Sequence, residues 1–246
     1  WPLYSIVFCM PLGLYKRQQF PRSISMNGAI MDFAAARHNM VESQVKPNRV
    51  TNPKILDAIA DLPREKFVPQ GLEGVAYVDE ALAMGDGRYM MEAMILGRLL
   101  QEADTTGEDI ALVVGCGSGY EAAVLSRLAG TVVALEDDKA AADQANAKLL
   151  EQGIDTVAVV EGPLAEGYPS QQPYDVIFIN GSVGEIPAAL SAQLAEGGRL
   201  VAIVGSGPLG KATLMTNYGG VVSSRQIFDA GTPELPGFGA EETFSF

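Results

Sequence analysis

The chain has little of what metal centres and disulfide frameworks are made from. Its 246 residues include two cysteines and one histidine, and neither Cys9 nor Cys116 has a second cysteine or a histidine close to it in the sequence. This argues against a disulfide-stapled secreted fold and a Cys/His metal site, and we predict no bound metal. The same cysteine usage favours the reducing cytoplasm. His38, the single histidine, is interpreted as a solvated or helix-capping residue rather than a catalytic base.

Positive charge is also scarce. The sequence has 17 Lys and Arg against 30 Asp and Glu, which gives a formal net charge of -13 at pH 7. A net charge of this sign repels phosphate backbones and anionic membrane surfaces. We therefore expect neither a nucleic acid nor a membrane as a partner.

The sequence also lacks an unbroken run of about 20 apolar residues, the length that crosses a bilayer. The most apolar stretch, residues 1–14, is shorter and is interrupted by Pro2 and Pro11. Its positive charges follow the apolar run, whereas those of a secretory signal precede it. We interpret residues 1–30 as an extension outside the main fold, with an interfacial anchor as the alternative. Met31 is a candidate for the natural start.

What the chain does contain is a regular alternation of strand and helix signals. We predict one domain over residues 31–246, with helices and a substrate loop in residues 31–106 and a cofactor-binding sheet with the C-terminal tail in residues 107–246. The predicted helices cover residues 54–59, 92–102, 120–128, 139–152 and 186–195. The predicted strands cover residues 110–114, 131–135, 156–160, 175–179 and 199–204. Nearly all-apolar strands that alternate with helices are typical of an α/β fold with a parallel sheet covered on both faces.

Three alternating glycines lie where the first predicted sheet strand meets its helix, at the edge where open parallel sheets bind ligands. The spacing Gly115-x-Gly117-x-Gly119 is not a dinucleotide fingerprint, because Tyr120 stands where a further glycine is needed. Glu136 ends the next strand, where a carboxylate can accept hydrogen bonds from ribose hydroxyls. The glycine spacing and Glu136 together predict a ligand that contains adenosine and carries a small group at its other end, as S-adenosylmethionine does. The alternative is a tight turn that needs glycine only for its backbone angles.

Several segments resemble the protein-L-isoaspartate O-methyltransferases. The similarity covers about residues 37–207, and its segments are RHNMVESQV, KILDAIADLPREKFVP, AYVDEALAMGDG, VVGCGSGYEAAVLSRLAGTVVALE, PYDVIFINGSVGEIP and LAEGGRLVAIVG. The resemblance implies a Rossmann-like, doubly wound, mostly parallel seven-stranded sheet with an N-terminal helical addition. It also implies methyl transfer from S-adenosylmethionine to the carboxylate of isoaspartyl residues in damaged proteins, which is a repair reaction.

The glycine spacing and the resemblance together give the cofactor-binding candidates. They lie in the glycine loop and at the ends of the next three strands: Gly115, Cys116, Gly117, Ser118, Gly119, Tyr120, Glu136, Asp137, Gly162, Pro163, Leu164 and Asn180. Asn180 and Gly181 are expected to line the acceptor side.

The chain departs from the family in the loop that follows the segment AYVD. The family pattern PLPIGxGQTIS is matched here by ALAMGDGRYMM. Arg88 replaces glutamine, Tyr89 replaces threonine, and Met91 replaces a serine that the resemblance places near the reacting centre. With Asp79 these are the loop candidates, and no catalytic residue is assigned. We expect Arg88 to be solvated, although a guanidinium can bind a carboxylate through two hydrogen bonds.

A second departure follows the third strand. The family's Gly-Asp-Gly, whose aspartate lies near the adenine, is replaced by Gly162-Pro163-Leu164 after Glu161. Two functions therefore stay open: a methyltransferase acting on isoaspartyl sites or another small acceptor, and a catalytically lapsed relative that binds the cofactor or a partner.

The tail also differs from the family, and its aromatic residues Phe238, Phe244 and Phe246 are expected to pack back on the sheet, with contact to a partner as the alternative. A monomer and a homodimer are both compatible with the sequence.

Overall fold

One large sheet organises the elements of the chain. The structure is a computed structural model that describes residues 31–205 and 209–238. The helices are α1 (Phe33–Met40), α2 (Pro53–Asp61), α3 (Ala93–Ala103), α4 (Tyr120–Leu125), α5 (Lys139–Glu151) and α6 (Ala188–Ser191). The strands are β1 (Leu82–Gly85), β2 (Arg88–Met90), β3 (Ile110–Val114), β4 (Thr131–Glu136), β5 (Val157–Glu161), β6 (Tyr174–Val183), β7 (Leu194–Val204), β8 (Lys211–Tyr218) and β9 (Val221–Asp229).

The chain divides by its internal contacts into residues 1–31 and residues 32–246, and these helices and strands belong to the second unit. The interpretations of residues 1–30, and the expected packing of Phe244 and Phe246, concern positions outside the described residues.

The sheet has seven strands in the order β5-β4-β3-β6-β7-β8-β9. Strands β3 to β7 pair in parallel, and β8 and β9 add an antiparallel edge. This confirms the predicted α/β fold with a doubly wound, mostly parallel sheet. The strand order runs outward from β3 to β5 and then restarts on the other side with β6. A crevice forms at such a reversal point, outside the carboxyl ends of the strands, and it is where this class of sheet binds ligands.

Two apolar clusters cover the two faces of the sheet. Along β3, Ala111 and Val113 belong to the first cluster, whereas Leu112 and Val114 belong to the second. All four side chains are fully buried, and full burial of a valine or leucine contributes roughly 1.5 to 3 kcal/mol. Burial on both faces explains why the strand is apolar at almost every position.

The helical addition contains α1, α2 and α3, and its two sequence-predicted helices are confirmed. The side chain of Asn52 caps α2 by accepting a hydrogen bond from the Lys54 amide, and Pro53 occupies the first helical position. Helix α3 buries Ile95, Leu96 and Leu99 in the first cluster. Within residues 31–205 and 209–238, every helix is too short or too polar to cross a bilayer.

The segment expected to be a loop before residue 92 instead forms an antiparallel hairpin, with β1 paired to β2. Asp86 and Gly87 at its turn have φ angles of 50° and 74°, which suit the tight turns that join two twisted strands. The hairpin gives the residues of this segment fixed positions, which a loop would not.

The helix predicted over residues 186–195 is wrong at its end. Helix α6 stops at Ser191, and β7 starts at Leu194, which pairs with Tyr174 of β6. The Asn217 side chain also donates to the carbonyls of Leu194 and Ala195, at 3.0 and 3.1 Å. These carbonyls are therefore held by the sheet instead of continuing a helix. The helix predicted over residues 120–128 similarly ends early, at Leu125.

Candidate active site

The glycine loop joins β3 to α4 at the carboxyl edge of the sheet. Gly115, Gly117 and Gly119 have φ angles of 74°, 53° and 89°, a region that favours glycine because a Cβ would clash there. The amides of Gly115 and Cys116 donate to the carbonyl of Leu135 at 2.9 and 3.0 Å. The loop is therefore held against the end of β4.

Glu136, at the end of β4, faces this loop as the sequence predicts. Its carboxylate is fully buried, and its Oε2 accepts a hydrogen bond from the Gly117 amide at 2.8 Å. Its Oε1 accepts from the Asp137 amide at 3.1 Å. The structure thus brings together the two features, glycines and acid, that predict an adenosine ligand.

The environment of Arg88 differs from the solvated position that the sequence predicted. Its side chain is 11% exposed, rather than solvated, because the hairpin carries it onto the end of β4. Its Nε donates to Oε1 of Glu136 at 3.2 Å, and its Nη2 pairs with both Glu136 and Asp137. The replacement of the family's glutamine by arginine is visible in the sequence. The sequence does not reveal the partner of Arg88, because Glu136 lies 48 residues away.

The remaining cofactor candidates continue along the same edge. The Gly162 amide donates to the carbonyl of Glu136 at 3.0 Å, so the turn after β5 lies beside the end of β4. Pro163, Leu164 and Asp137 line an open cleft there. On the other side of Asp137, Ser118 lines a cavity of about 390 Å³ together with Arg88. These residues line two openings that share Asp137.

The side chains of Cys116 and Tyr120 do not reach these openings. Both are fully buried and belong to the first apolar cluster. The Tyr120 ring lies edge-on to Phe67, with centroids 5.5 Å apart, and the guanidinium carbon of Arg64 lies 4.9 Å from its centroid. Their backbone contributes to the loop, while their side chains stabilise the core beneath it.

A pair of buried charges that the sequence prediction missed holds Met91. The backbone carbonyl of Met91 accepts from Nη2 of Arg64 at 2.6 Å, and its amide donates to Oε1 of Glu121 at 3.2 Å. Burial raises the pKa of Glu121, while the charge of Arg64 opposes the rise. Arg64 and Glu121 lie in two different segments of the family resemblance, and no spacing in the sequence indicates that both contact Met91.

Asn180 connects these charges to the glycine loop. Its Nδ2 donates to the Gly115 carbonyl at 3.0 Å and to Oε2 of Glu121 at 3.3 Å. The backbone at Met91, directly after the hairpin, is therefore positioned relative to Gly115 through two buried side chains; we name residues 86–92 the acceptor loop. By contrast, Asp79 is exposed before the hairpin, and the hydrogen bonds that build the site among the described residues do not include it.

A segment of the tail crosses the crevice. We name residues 232–237 the strap. The Leu235 side chain, 3% exposed, lies against the bare backbone of the loop: its Cδ1 is 2.7 Å from where a Cβ on Gly115 would stand. Its own Cβ is 2.9 Å from the corresponding point on Gly181. Phe238 follows the strap and packs on the second apolar cluster, as expected.

The residue types suit S-adenosylmethionine, since they comprise a glycine backbone, a carboxylate of the kind that accepts hydrogen bonds from ribose hydroxyls, and a cleft beside it. In this conformation the Glu136 carboxylate is buried and paired with Arg88. The Gly115 backbone, however, is covered by Leu235 in this conformation, whereas the Cβ position of Gly117 is open. The residue types fit the cofactor, and the place beside the glycines is filled by the chain's own tail.

Comparison with known proteins gives a consistent result. Residues 35–225 match the family model described as Protein-L-isoaspartate(D-aspartate) O-methyltransferase. The chain is 39% identical over 169 residues to the protein-L-isoaspartate O-methyltransferase of Methanoculleus marisnigri, covering 69% of this chain and 77% of that protein. It is 34% identical over 197 residues to the corresponding protein of Koribacter versatilis, covering 80% and 89%.

Solved structures agree on the fold. One protein-L-isoaspartate O-methyltransferase matches with a TM-score of 0.72 at 25% identity, covering 82% of this chain and 67% of that chain. A beta-aspartate methyltransferase from Plasmodium falciparum, solved in complex with S-adenosyl-L-homocysteine, matches with a TM-score of 0.68 at 16% identity, covering 85% and 100%. At that identity the second match concerns the fold alone.

Arg88→Ala is expected to lower the free energy of unfolding by about 1 to 3 kcal/mol, because the buried Glu136 carboxylate loses its cationic partner. Urea denaturation measures the change. Arg127→Ala removes an exposed arginine and should change the same quantity by less than about 0.5 kcal/mol. Equal losses in the two variants would show that the Arg88 contact does not stabilise the fold.

Cys116 is expected to resist alkylation. Burial raises the pKa of its thiol, and the carboxylates of Glu136 and Glu121 raise it further, so the reactive thiolate is suppressed. In a Cys9→Ser background, iodoacetamide at about pH 8 should modify the folded protein at least about tenfold more slowly than the urea-unfolded protein. Mass spectrometry follows the reaction, and similar rates in both states would contradict the buried position.

Proposed function

The chain belongs to the protein-L-isoaspartate O-methyltransferase family, and we propose that it transfers a methyl group from S-adenosylmethionine to the carboxylate of isoaspartyl residues in damaged proteins. The observation that carries the proposal is the contact between the Gly117 amide and the buried Glu136 carboxylate at 2.8 Å. It supports the proposal because a glycine backbone and an acid, which we propose binds the ribose, lie side by side at the reversal point of the sheet.

The cofactor site is formed by three neighbouring parts of the sheet edge. The backbone at Gly115 to Gly119 would lie beside the methionine part of the cofactor, and Glu136 would accept hydrogen bonds from the ribose. The turn with Gly162, Pro163 and Leu164 would lie beside the adenine, where a backbone carbonyl would have to accept the hydrogen bond in place of the family's aspartate. When bound, S-adenosylmethionine supplies a methyl group on a positively charged sulfur.

The acceptor needs positioning rather than activation. An isoaspartyl carboxylate is ionised at neutral pH and is already a nucleophile, so this chain needs no general base for it. Holding the carboxylate in line with the methyl group can provide most of the acceleration. The buried contacts of Arg64 and Glu121 with the Met91 backbone serve this by fixing the acceptor loop.

Tyr89 is the loop residue best placed to meet the acceptor. Its side chain is 39% exposed, and it lines a narrow cleft with Asn180 and Gly181. Met91 lines the same cleft but is buried and can neither donate nor accept a strong hydrogen bond. We therefore assign the polar contact with the acceptor to the Tyr89 hydroxyl.

The second candidate function is a catalytically lapsed relative that binds the cofactor or a partner. Two observations favour it: Met91 stands where a hydroxyl is expected, and Leu235 covers the Gly115 backbone. Such a protein would bind S-adenosylmethionine without methylating a peptide.

The partners, the location and the oligomeric state of the chain remain predictions from its sequence. The net charge of -13 argues against nucleic acid and anionic membrane surfaces as partners. We also propose a cytoplasmic location. A monomer and a homodimer are both proposed as the oligomeric state.

Incubation with methyl-labelled S-adenosylmethionine should label a peptide that contains one isoaspartyl residue. The same peptide with a normal aspartyl residue is the control and should stay unlabelled. Its free carboxylate is on the side chain, whereas the free carboxylate of an isoaspartyl residue is the α-carboxylate. Mass spectrometry locates the methyl ester. Cofactor binding by calorimetry without label in either peptide would favour the lapsed relative.

Met91→Ser should raise kcat/KM for the isoaspartyl peptide by about tenfold, because it returns a hydroxyl to the acceptor loop. Met90→Ser makes the same change at the neighbouring methionine, which is also buried, and should not raise it. Steady-state kinetics with both variants separates a local effect from general loosening. No gain in Met91→Ser would show that a hydroxyl at this position is not what limits the reaction.

A further inference from the structure

We propose that the strap, residues 232–237, is an intramolecular competitor that occupies the cofactor crevice and leaves it before S-adenosylmethionine binds. The inference rests on the proposed function, since it concerns access to the same site. It follows from where the strap is anchored, what it covers and which edge of the sheet it uses.

The strap begins beside the acceptor loop and is anchored to β6. The Thr232 hydroxyl lies 3.4 Å from Oε2 of Glu92, the residue after Met91. The Ser182 amide donates to the Pro233 carbonyl at 3.0 Å, and the Leu235 amide donates to the Ser182 carbonyl at 2.8 Å. These hydrogen bonds fix the backbone of the strap on both sides of Glu234.

The strap pairs with the part of the β6 edge that lies beyond the end of β3. Strand β3 pairs with β6 only as far as Val114 opposite Ile179. Further along β6, Ser182 pairs with Ile203 of β7 on one side and forms a parallel bridge with Glu234 on the other. The strap therefore lies in the gap between the ends of β3 and β6, which is the ligand crevice of this class of sheet.

Leu235 fills the centre of that gap. Its side chain and backbone crowd the faces of Gly115 and Gly181, within 2.7 and 2.9 Å of where a Cβ on either glycine would stand. A ligand cannot contact the Gly115 backbone at that face while Leu235 is there, because protein interiors do not accommodate overlapping atoms. A methionine part seated on the Gly115 face and the Leu235 side chain would therefore exclude each other, although the Cβ position of Gly117 is open.

The strap then continues toward the adenine side. Pro236 reaches the turn of the hairpin, with its Cγ 2.9 Å from where a Cβ on Gly87 would stand. Gly237 follows, and a Cβ on it would lie 3.4 Å from Oδ2 of Asp137 and 3.8 Å from Cδ1 of Leu164. The strap thus runs the length of the proposed site, from acceptor loop to adenine cleft.

A competitor of this kind weakens cofactor binding in proportion to its occupancy. The apparent dissociation constant equals the intrinsic one divided by the fraction of molecules in which the crevice is open, so a strap seated in nine molecules of ten weakens binding about tenfold. Removing the Leu235 side chain should restore the cofactor affinity that the seated strap reduces.

Calorimetry with S-adenosyl-L-homocysteine tests the affinity. Leu235→Ala should bind it about tenfold more tightly than the unmodified chain. Leu150→Ala is the matched control, because it makes the same change at a leucine that is 61% exposed on α5, and it should bind within about twofold of the unmodified chain. Pro236→Gly, at an exposed strap position, loosens the strap without removing a buried side chain and should also tighten binding; it serves if Leu235→Ala does not fold.

Hydrogen exchange provides a readout independent of affinity. In the unmodified chain without ligand, the Leu235 amide should be protected by its bond to Ser182. Saturating S-adenosyl-L-homocysteine should speed its exchange by about tenfold or more, since the strap must leave. Mass spectrometry of peptides that cover the strap measures the rate.

The outcomes separate the two proposals. Ligand binding with equal affinity in the unmodified chain and the strap variants, or slower exchange of the strap when ligand is bound, would overturn the competitor role and leave the proposed function intact. An unprotected Leu235 amide without ligand would also overturn it. Failure of all variants to bind at millimolar ligand would contradict the proposed cofactor, and with it the competition.

Discussion

The carboxylate of Glu136 is the group around which the whole candidate site is assembled. A buried charge is costly unless it is paired and hydrogen-bonded, and Glu136 is fully buried. Its partners come from three separate parts of the chain: the Gly117 amide, the Asp137 amide and the Arg88 side chain. Satisfying this one group therefore brings the glycine loop, the end of β4 and the hairpin to the same place.

A second buried carboxylate holds the opposite side of the loop. Glu121 follows the loop at the start of α4 and contacts the Met91 amide and the Asn180 side chain, while Arg64 holds the Met91 carbonyl. The glycine loop thus lies between two acids, each tied to a different part of the helical and hairpin region. This rigidity suits a reaction whose acceptor is already a nucleophile, because only the placement of the reactants remains to be provided.

The five parallel strands of the sheet could be predicted from sequence because they are largely apolar and most end at glycines or charges. Residues 110–114 and 131–136 carry that signal within a few positions. The antiparallel strands β8 and β9 were not predicted, since β9 is mostly exposed and lacks such a pattern. The hairpin could not be predicted, since its short strands are defined by each other rather than by a local pattern. The sheet also overrode the helix expected through Leu194, whose partner Tyr174 lies on another strand.

The glycines and Glu136 were predictable for the same reason, as each sits at a fixed offset from a strand end. Arg88 and Leu235 were not. The partner of Arg88 lies 48 residues away, and Leu235 belongs to the segment TPELPG, which has the proline and glycine content of an ordinary surface loop. Their roles depend on long-range contacts, which no spacing in the sequence encodes.

The attachment of the strap to β9 has a consequence of its own. The strand ends at Asp229 and the strap starts at Thr232, so the tether is very short. A segment tethered so closely meets its crevice at a fixed effective concentration, which short linkers raise to the millimolar range. Diluting the protein would therefore never vacate the crevice, whereas raising the level of free cofactor would. Such an arrangement makes occupancy respond to the supply of methyl donor and not to the abundance of the protein.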